Sequence, residues 1–156
     1  MIKKTMAVLV GAAMLSTFSV FAEPAKSAKQ AKGATEYRQA LLTLVKSNVG
    51  ALGAMNKGVI PFNAETLQTN ALRIEQLSLM LEDYFATDTS GFNIETAALD
   101  KIWSSQSDFN DKISALTAAA VNLNKVAKAG DESQFKPAIG QVFKSCKGCH
   151  DKYKAD

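Results

Sequence analysis

The sequence holds two cysteines and one histidine, and all three fall in one short run, Cys146-Lys147-Gly148-Cys149-His150. A Cys-x-x-Cys-His run is the attachment site of a c-type haem. Each thiol can add across one vinyl group of the porphyrin to give a thioether, and two intervening residues let both sulfurs reach one edge of the ring. The adjacent imidazole then falls beneath the iron, in the place of a proximal ligand. Three other chemistries use the same residue types. A dithiol redox pair sits near a βαβ pattern, and the sequence shows none. A structural zinc site needs four ligands, so a carboxylate or a water would have to join these three. A local disulfide would close a very small loop and stabilise little. Haem attachment is the reading whose context is complete.

The elements that must position this run come next. The chain has 156 residues, one domain's worth. Lys3 and Lys4 followed by an apolar or small run from Met6 to Phe21, with Val20-Phe21-Ala22 as a cleavage site, predict a secretory signal peptide over residues 1–22 and a mature domain over 23–156. The apolar run is short for a bilayer span, and no later segment is apolar enough to be one. The expected product is exported to the periplasm, with no membrane attachment after cleavage. Removing Lys3 and Lys4 turns 18 basic residues into 16 against 15 acidic ones, a formal charge of +1. Nothing in that balance calls for nucleic acid.

The mature part is poor in Pro and Gly and rich in Ala, Leu, Lys and Gln, a helix-forming composition. Glu23 to Lys32 lacks an apolar stripe and reads as a mobile leader running into the first helix. That helix is expected from Thr35 to Asn56, with two neighbouring stripes: Tyr37, Leu41, Leu44, Asn48, Ala51 and Met55, and Arg38, Leu42, Val45, Val49 and Leu52. Two such faces suit a helix that touches both a core and a cofactor or partner. Gly58 and Pro61 end it. Asn63 caps a second helix reaching Phe85, and Thr87 to Asn93 is turn-rich. A third helix is expected from Thr96 to Ala129, stopped by Gly130. Asp131 opens a lead-in turn to a fourth, from about Pro137 to Lys154. No strand signal is visible. The expected fold is all-α, an antiparallel up-down four-helix bundle with one covalently attached haem held by its last helix.

Three stretches carry a resemblance to a known family. Tyr37-Arg38-Gln39-Ala40-Leu41-Leu42-Thr43-Leu44 with Gly50 to Gly58, Lys101-Ile102-Trp103 with Phe109, and Val142 to Lys154 (VFKSCKGCHDKYK) occur in the order and places found in cytochrome c′, the class II c-type cytochromes. The haem run alone is generic to c-type cytochromes; its placement together with Tyr-Arg-Gln makes the match specific. The resemblance implies haem c bound through Cys146 and Cys149, with His150 as the axial ligand, and haem propionates contacted by Arg38 and Gln39. A guanidinium pairs well with a carboxylate, although Arg38 also reads as a solvated helix charge.

The resemblance also places Leu42 opposite the iron on the distal side. A hydrocarbon there cannot ligate, so five-coordinate, high-spin iron is expected, open to nitric oxide and carbon monoxide and capable of one-electron transfer. A methionine in that place would instead give a six-coordinate, low-spin electron carrier. Leu42 is equally an ordinary core leucine; the two roles are compatible. Lys154 matches a basic residue that tunes the proximal side, and it reads as well as a frayed terminal lysine. Met55 and Met80 fall off Leu42's face and are expected to pack. Trp103 and Phe109 are expected in the core. Lys144, Lys147, Lys152 and Lys154 form either a solvated face or a surface for an acidic redox partner, whose identity the sequence does not give. A homodimer through the first two helices is implied by the family. No enzyme is expected. The function reads as electron transfer with gas binding, or as a gas-capture module in which electron transfer is incidental.

Overall fold

The computed structural model describes residues 22–155. The expected signal segment lies outside the described residues except for Ala22. A two-residue strand β1 (Glu23–Pro24) is followed by α1 (Ala28–Asn56). Helix α1 starts well before Thr35 because Ser27 caps it: the Ser27 side chain accepts from the Gln30 amide at 3.2 Å, and Gln30 Oε1 accepts from the Lys26 amide at 2.7 Å. Each bond satisfies an amide that the start of a helix would leave unpaired. Much of the supposed leader is therefore helix.

Along α1 the structure buries one stripe rather than two. It runs through Ala31, Thr35, Arg38, Leu41, Val45, Asn48, Leu52 and Met55, spaced by threes and fours, and takes members from both sequence stripes. Tyr37, Leu42 and Leu44 are left exposed. Gly58, with φ 71°, turns the chain after α1 in a conformation that favours glycine.

Asn63 caps α2 (Ala64–Leu79), its side chain accepting from the Thr66 amide at 2.7 Å. The second rod breaks at Met80 and continues as α3 (Leu81–Phe85). A second short strand, β2 (Thr87–Asp88), then pairs in parallel with β1, Glu23 against Thr87 and Pro24 against Asp88. This pair corrects the all-helical expectation locally. The third rod starts at Lys101, not Thr96, as α4 (Lys101–Ser104), and runs on past Ser105 as α5 (Gln106–Ala129). The residues before it are engaged elsewhere: the Leu99 amide donates to the Tyr153 carbonyl at 3.0 Å and the Ala155 amide to the Ala97 carbonyl at 2.8 Å. Gly130, with φ 70°, ends α5. Asp131 caps a 3-10 turn, Glu132–Gln134, that leads into α6 (Phe135–Tyr153). Pro137 falls in the first turn of α6, where its missing N–H forfeits no helical bond.

Four rods result: α1, α2 with α3, α4 with α5, and α6. The fold is the antiparallel four-helix bundle. Rod packs on rod from α1 to α2, most extensively from α2 to α5, and from α5 to α6, whereas α6 and α1 touch only sparsely. Leu52, Leu67, Ile74, Leu123, Ile139 and Val142 are fully buried between the rods, each worth about 1.5–3 kcal/mol on burial.

Candidate haem site

The sparse contact between α1 and α6 leaves a seam, and the site residues line it. Phe143 of α6 lies beside Gly53 of α1, where a Cβ atom would meet the ring at 3.7 Å. Counting by threes and fours from this contact, Gly53, Val49, Lys46, Leu42 and Gln39 form one line along α1, while Phe143, Cys146 and His150 form a line along α6. The two lines meet at Gly53 and Phe143. Leu42 is 41% exposed and Val49 is half-buried, so the α1 line is unfilled by side chains.

On α6, Cys146 and Cys149 are half-buried and pack against the core, and His150 is exposed. Burial raises the Cys146 thiol above its ordinary pKa. Burial, then the neighbouring Cys146, pushes Cys149 up to about 11. Both shifts favour the neutral thiol over the thiolate. The end of α6 is fixed to α5 by Tyr153, whose hydroxyl donates to Asp108 Oδ2 at 2.6 Å and whose ring stands edge-on to Phe109 at 5.2 Å. Lys152 Nζ reaches the same carboxylate oxygen at 3.0 Å. These contacts hold Asp108 below the usual carboxylate range, the Tyr153 hydrogen bond first and the Lys152 bond second.

Arg38 is not a solvated charge; it is 3% exposed. Its Nε donates to the Ala34 carbonyl at 3.2 Å, and its Nη2 donates to Thr35 Oγ1 at 3.0 Å and to Thr89 Oγ1 at 2.8 Å. The guanidinium carbon lies 5.2 Å from the ring centres of both Phe85 and Trp103. Burial lowers its pKa, with Asp88 opposing that shift. Nη1 is buried and has no hydrogen-bond partner. Gln39, one residue on, is exposed and donates to the Glu95 carbonyl at 3.4 Å. Loop 86–99 thus meets Arg38 and Gln39 on α1 and the last turn of α6, closing one end of the seam.

Lys154 closes the last turn of α6. It is the C-cap of α6 in extended backbone, and its ammonium donates to the Ala155 carbonyl at 3.0 Å. Its amide still donates to the His150 carbonyl at 3.2 Å, so it stands one turn beyond His150. Trp103 is only half-buried and donates from Nε1 to the Phe85 carbonyl at 3.1 Å. Thr89 and Phe85 complete the Arg38 box, and nothing in a turn-rich loop announces Thr89. Asp108 is equally silent in sequence, whereas Tyr153, three residues after His150, is on the inner face by spacing alone.

The residues present fit a haem. Two thiols on one helix, an imidazole beside them, Val49 and Leu42 on the neighbouring helix and a buried guanidinium with unspent donors suit a flat apolar ring with anionic edges. Among the described residues no three of His, Cys, Asp or Glu gather to hold a bare metal. A groove of about 540 Å³ between α2 and α5, lined by Leu79, Ile113 and Val121 among others, includes no residue of α1 or α6 and is not this site.

An attachment run on the last rod of such a bundle, facing an apolar line of the first, defines a c-type cytochrome of the helix-bundle class. Residues 33–154 match the model of the family described as Cytochrome C′. The chain is 35% identical to cytochrome c′ of Rubrivivax gelatinosus over 121 residues, covering 78% of this chain and 93% of that one. The solved cytochrome c prime from Shewanella frigidimarina superposes with a TM-score of 0.75 at 38% identity, covering 83% of this chain and all (100%) of that one. The nitric oxide complex of a leucine-to-alanine mutant of cytochrome c prime from Alcaligenes xylosoxidans gives 0.71 at 32% identity, over 81% and 96% of the two chains. The chain belongs to the cytochrome c′ family, whose cofactor is haem c.

Proposed function

We propose that this protein is a periplasmic mono-haem cytochrome with five-coordinate, high-spin iron, able to carry one electron and to bind nitric oxide or carbon monoxide. Cys146 and Cys149 hold the haem as thioethers, each S–H adding across a vinyl C=C. His150 ligates the iron, and Arg38 and Gln39 meet the propionates. Bound haem would supply the one-electron couple and a site for a diatomic ligand. The chain supplies the rest. Tyr153 and the Leu99 and Ala155 backbone bonds hold the turn that carries His150, and Leu42 puts a hydrocarbon rather than a donor on the neighbouring helix. Lys154 contributes only its charge. Lys3-Lys4 and the apolar run after them support export, and the exposed Tyr37 and Leu44 of α1 with Leu72 and Leu79 of α2 supply apolar surface for a second copy.

The observation that carries the open iron is Leu42, a hydrocarbon on the α1 line facing His150. Methionine does not replace it: Met55 is buried on the core stripe, and Met80 sits at the break between α2 and α3. Resonance Raman spectra of the haem-loaded protein should show five-coordinate bands in both oxidation states. A six-coordinate, low-spin pattern in both would overturn the open site. The nitric oxide complexes among the structural relatives favour a second reading, in which gas capture is the task. Fast electron exchange with a donor that nitric oxide leaves unchanged would count against it.

A further inference from the structure

The Arg38 guanidinium has five N–H donors. The structure uses the Nε donor on the Ala34 carbonyl and both Nη2 donors on Thr35 Oγ1 and Thr89 Oγ1, and leaves both Nη1 donors unspent in a buried position. Phe85 and Trp103 hold the guanidinium from two sides. Of its hydrogen-bonding partners, Ala34 and Thr35 belong to its own helix, so only Thr89 fixes it from outside. Thr89 is 4% exposed, unusual for a threonine in a turn-rich loop. Its place is set by the chain's first described residues. The Glu23 amide donates to the Ala86 carbonyl at 2.8 Å and the Ala25 amide to the Asp88 carbonyl at 2.8 Å, which makes the β1–β2 pair. Asp88 Oδ1 then accepts from the Ser90 amide at 2.8 Å, and the Thr89 carbonyl from the Phe92 amide at 3.1 Å.

We propose that Thr89, held by the strap of residues 23–25, is a positioning residue: it pins Nη2 so that Nη1 is pre-aimed at an anionic edge of the bound haem. This rests on the reading of Arg38 as a propionate partner. Three hydrogen bonds and two ring contacts are made before the anion arrives, so the cation loses little freedom on meeting it. Cleavage after Ala22 would leave the strap whole, since Glu23 keeps its nitrogen for Ala86; only the bond from the Ala22 amide to Gln106 Oε1, 2.6 Å, would go.

The test is the reduction potential of the haem-loaded protein, measured beside its thermal unfolding. A cation held near the ring favours the reduced, less positive iron. Thr89→Val removes the hydroxyl at constant shape and should shift the potential downward. Thr89→Ser should restore it. A mature chain beginning at Ser27, which lacks the strap but keeps the cap of α1, should shift it in the same direction and serves if Thr89→Val fails to accumulate. Arg38→Gln is the reference and should give the largest downward shift. If Arg38→Gln moves the potential while Thr89→Val and the shortened chain leave it at the parent value, the positioning role is wrong and the propionate reading stands. If Arg38→Gln also leaves it unchanged, both fall.

Discussion

The two sides of this bundle are closed by different means. Between α2 and α5 the rods interdigitate, and Leu67, Ile74 and Leu123 leave no exposed surface. Between α1 and α6 the rods barely touch; the facing lines carry an exposed leucine, an exposed imidazole and half-buried thiols. The first side is packed tightly at its centre and carries a groove of about 540 Å³ only at its surface, beside Leu79, Ile113 and Val121. The second is shaped for a partner that is not polypeptide, and loop 86–99 spans it at one end. One fold therefore separates stability from chemistry: the α2–α5 contact is extensive and the α1–α6 contact sparse.

The strongest way to break this contrast is to remove the attachment. Replacing Cys146 and Cys149 together by alanine should abolish covalent haem, seen as complete loss of haem stain on a denaturing gel, and should lower the melting temperature more than any surface change. Next, Ile74→Ala opens a cavity on the closed side and should cost about 2–5 kcal/mol in haem-loaded and haem-free protein alike, read by urea unfolding. Leu42→Ala on the open side should cost under about 0.5 kcal/mol in haem-free protein, as exposed positions do, yet change the rate of carbon monoxide binding to the ferrous form. Equal effects of the two on stability would erase the distinction.

A smaller effect is expected at the α5–α6 fastening. Asp108 is held below its ordinary pKa by the Tyr153 hydroxyl first and the Lys152 bond second. Its folded value therefore lies beneath the unfolded one, near about 3.9. Its contribution is complete above that unfolded value and is lost as pH falls through the folded one. Asp108→Asn and Tyr153→Phe should each flatten the acid limb of the melting temperature against pH. The smallest change is a gain. Gly53→Ala should stabilise α1 by about 0.5–1 kcal/mol, because the added methyl meets Phe143 at an ordinary contact distance.

The rods were legible because their apolar residues recur at helical spacing and their ends carry chemistry: Asn63 and Asp131 cap as expected, and Gly130 stops α5 in the left-handed region. The Cys146-Cys149-His150 run was legible because three consecutive requirements of one cofactor sit side by side. What the sequence hid is non-local. Two-residue strands have no period to read, so the β1–β2 pair left no trace. Which of two apolar stripes on α1 is buried depends on the neighbouring rods, and the structure mixed them. Ser27 and Gln30, three apart, did carry a capping signature that marks the true start of α1.

Amide hydrogen exchange, compared between the haem-loaded protein and the haem-free double alanine variant at Cys146 and Cys149, tests the central claim most directly. The account predicts that protection lost without haem is confined to α1 around Arg38 to Gly53, to loop 86–99 and to the last turns of α6, while α2 and the middle of α5 stay protected. Loss spread evenly over all four rods, or centred on α2 and α5, would contradict it.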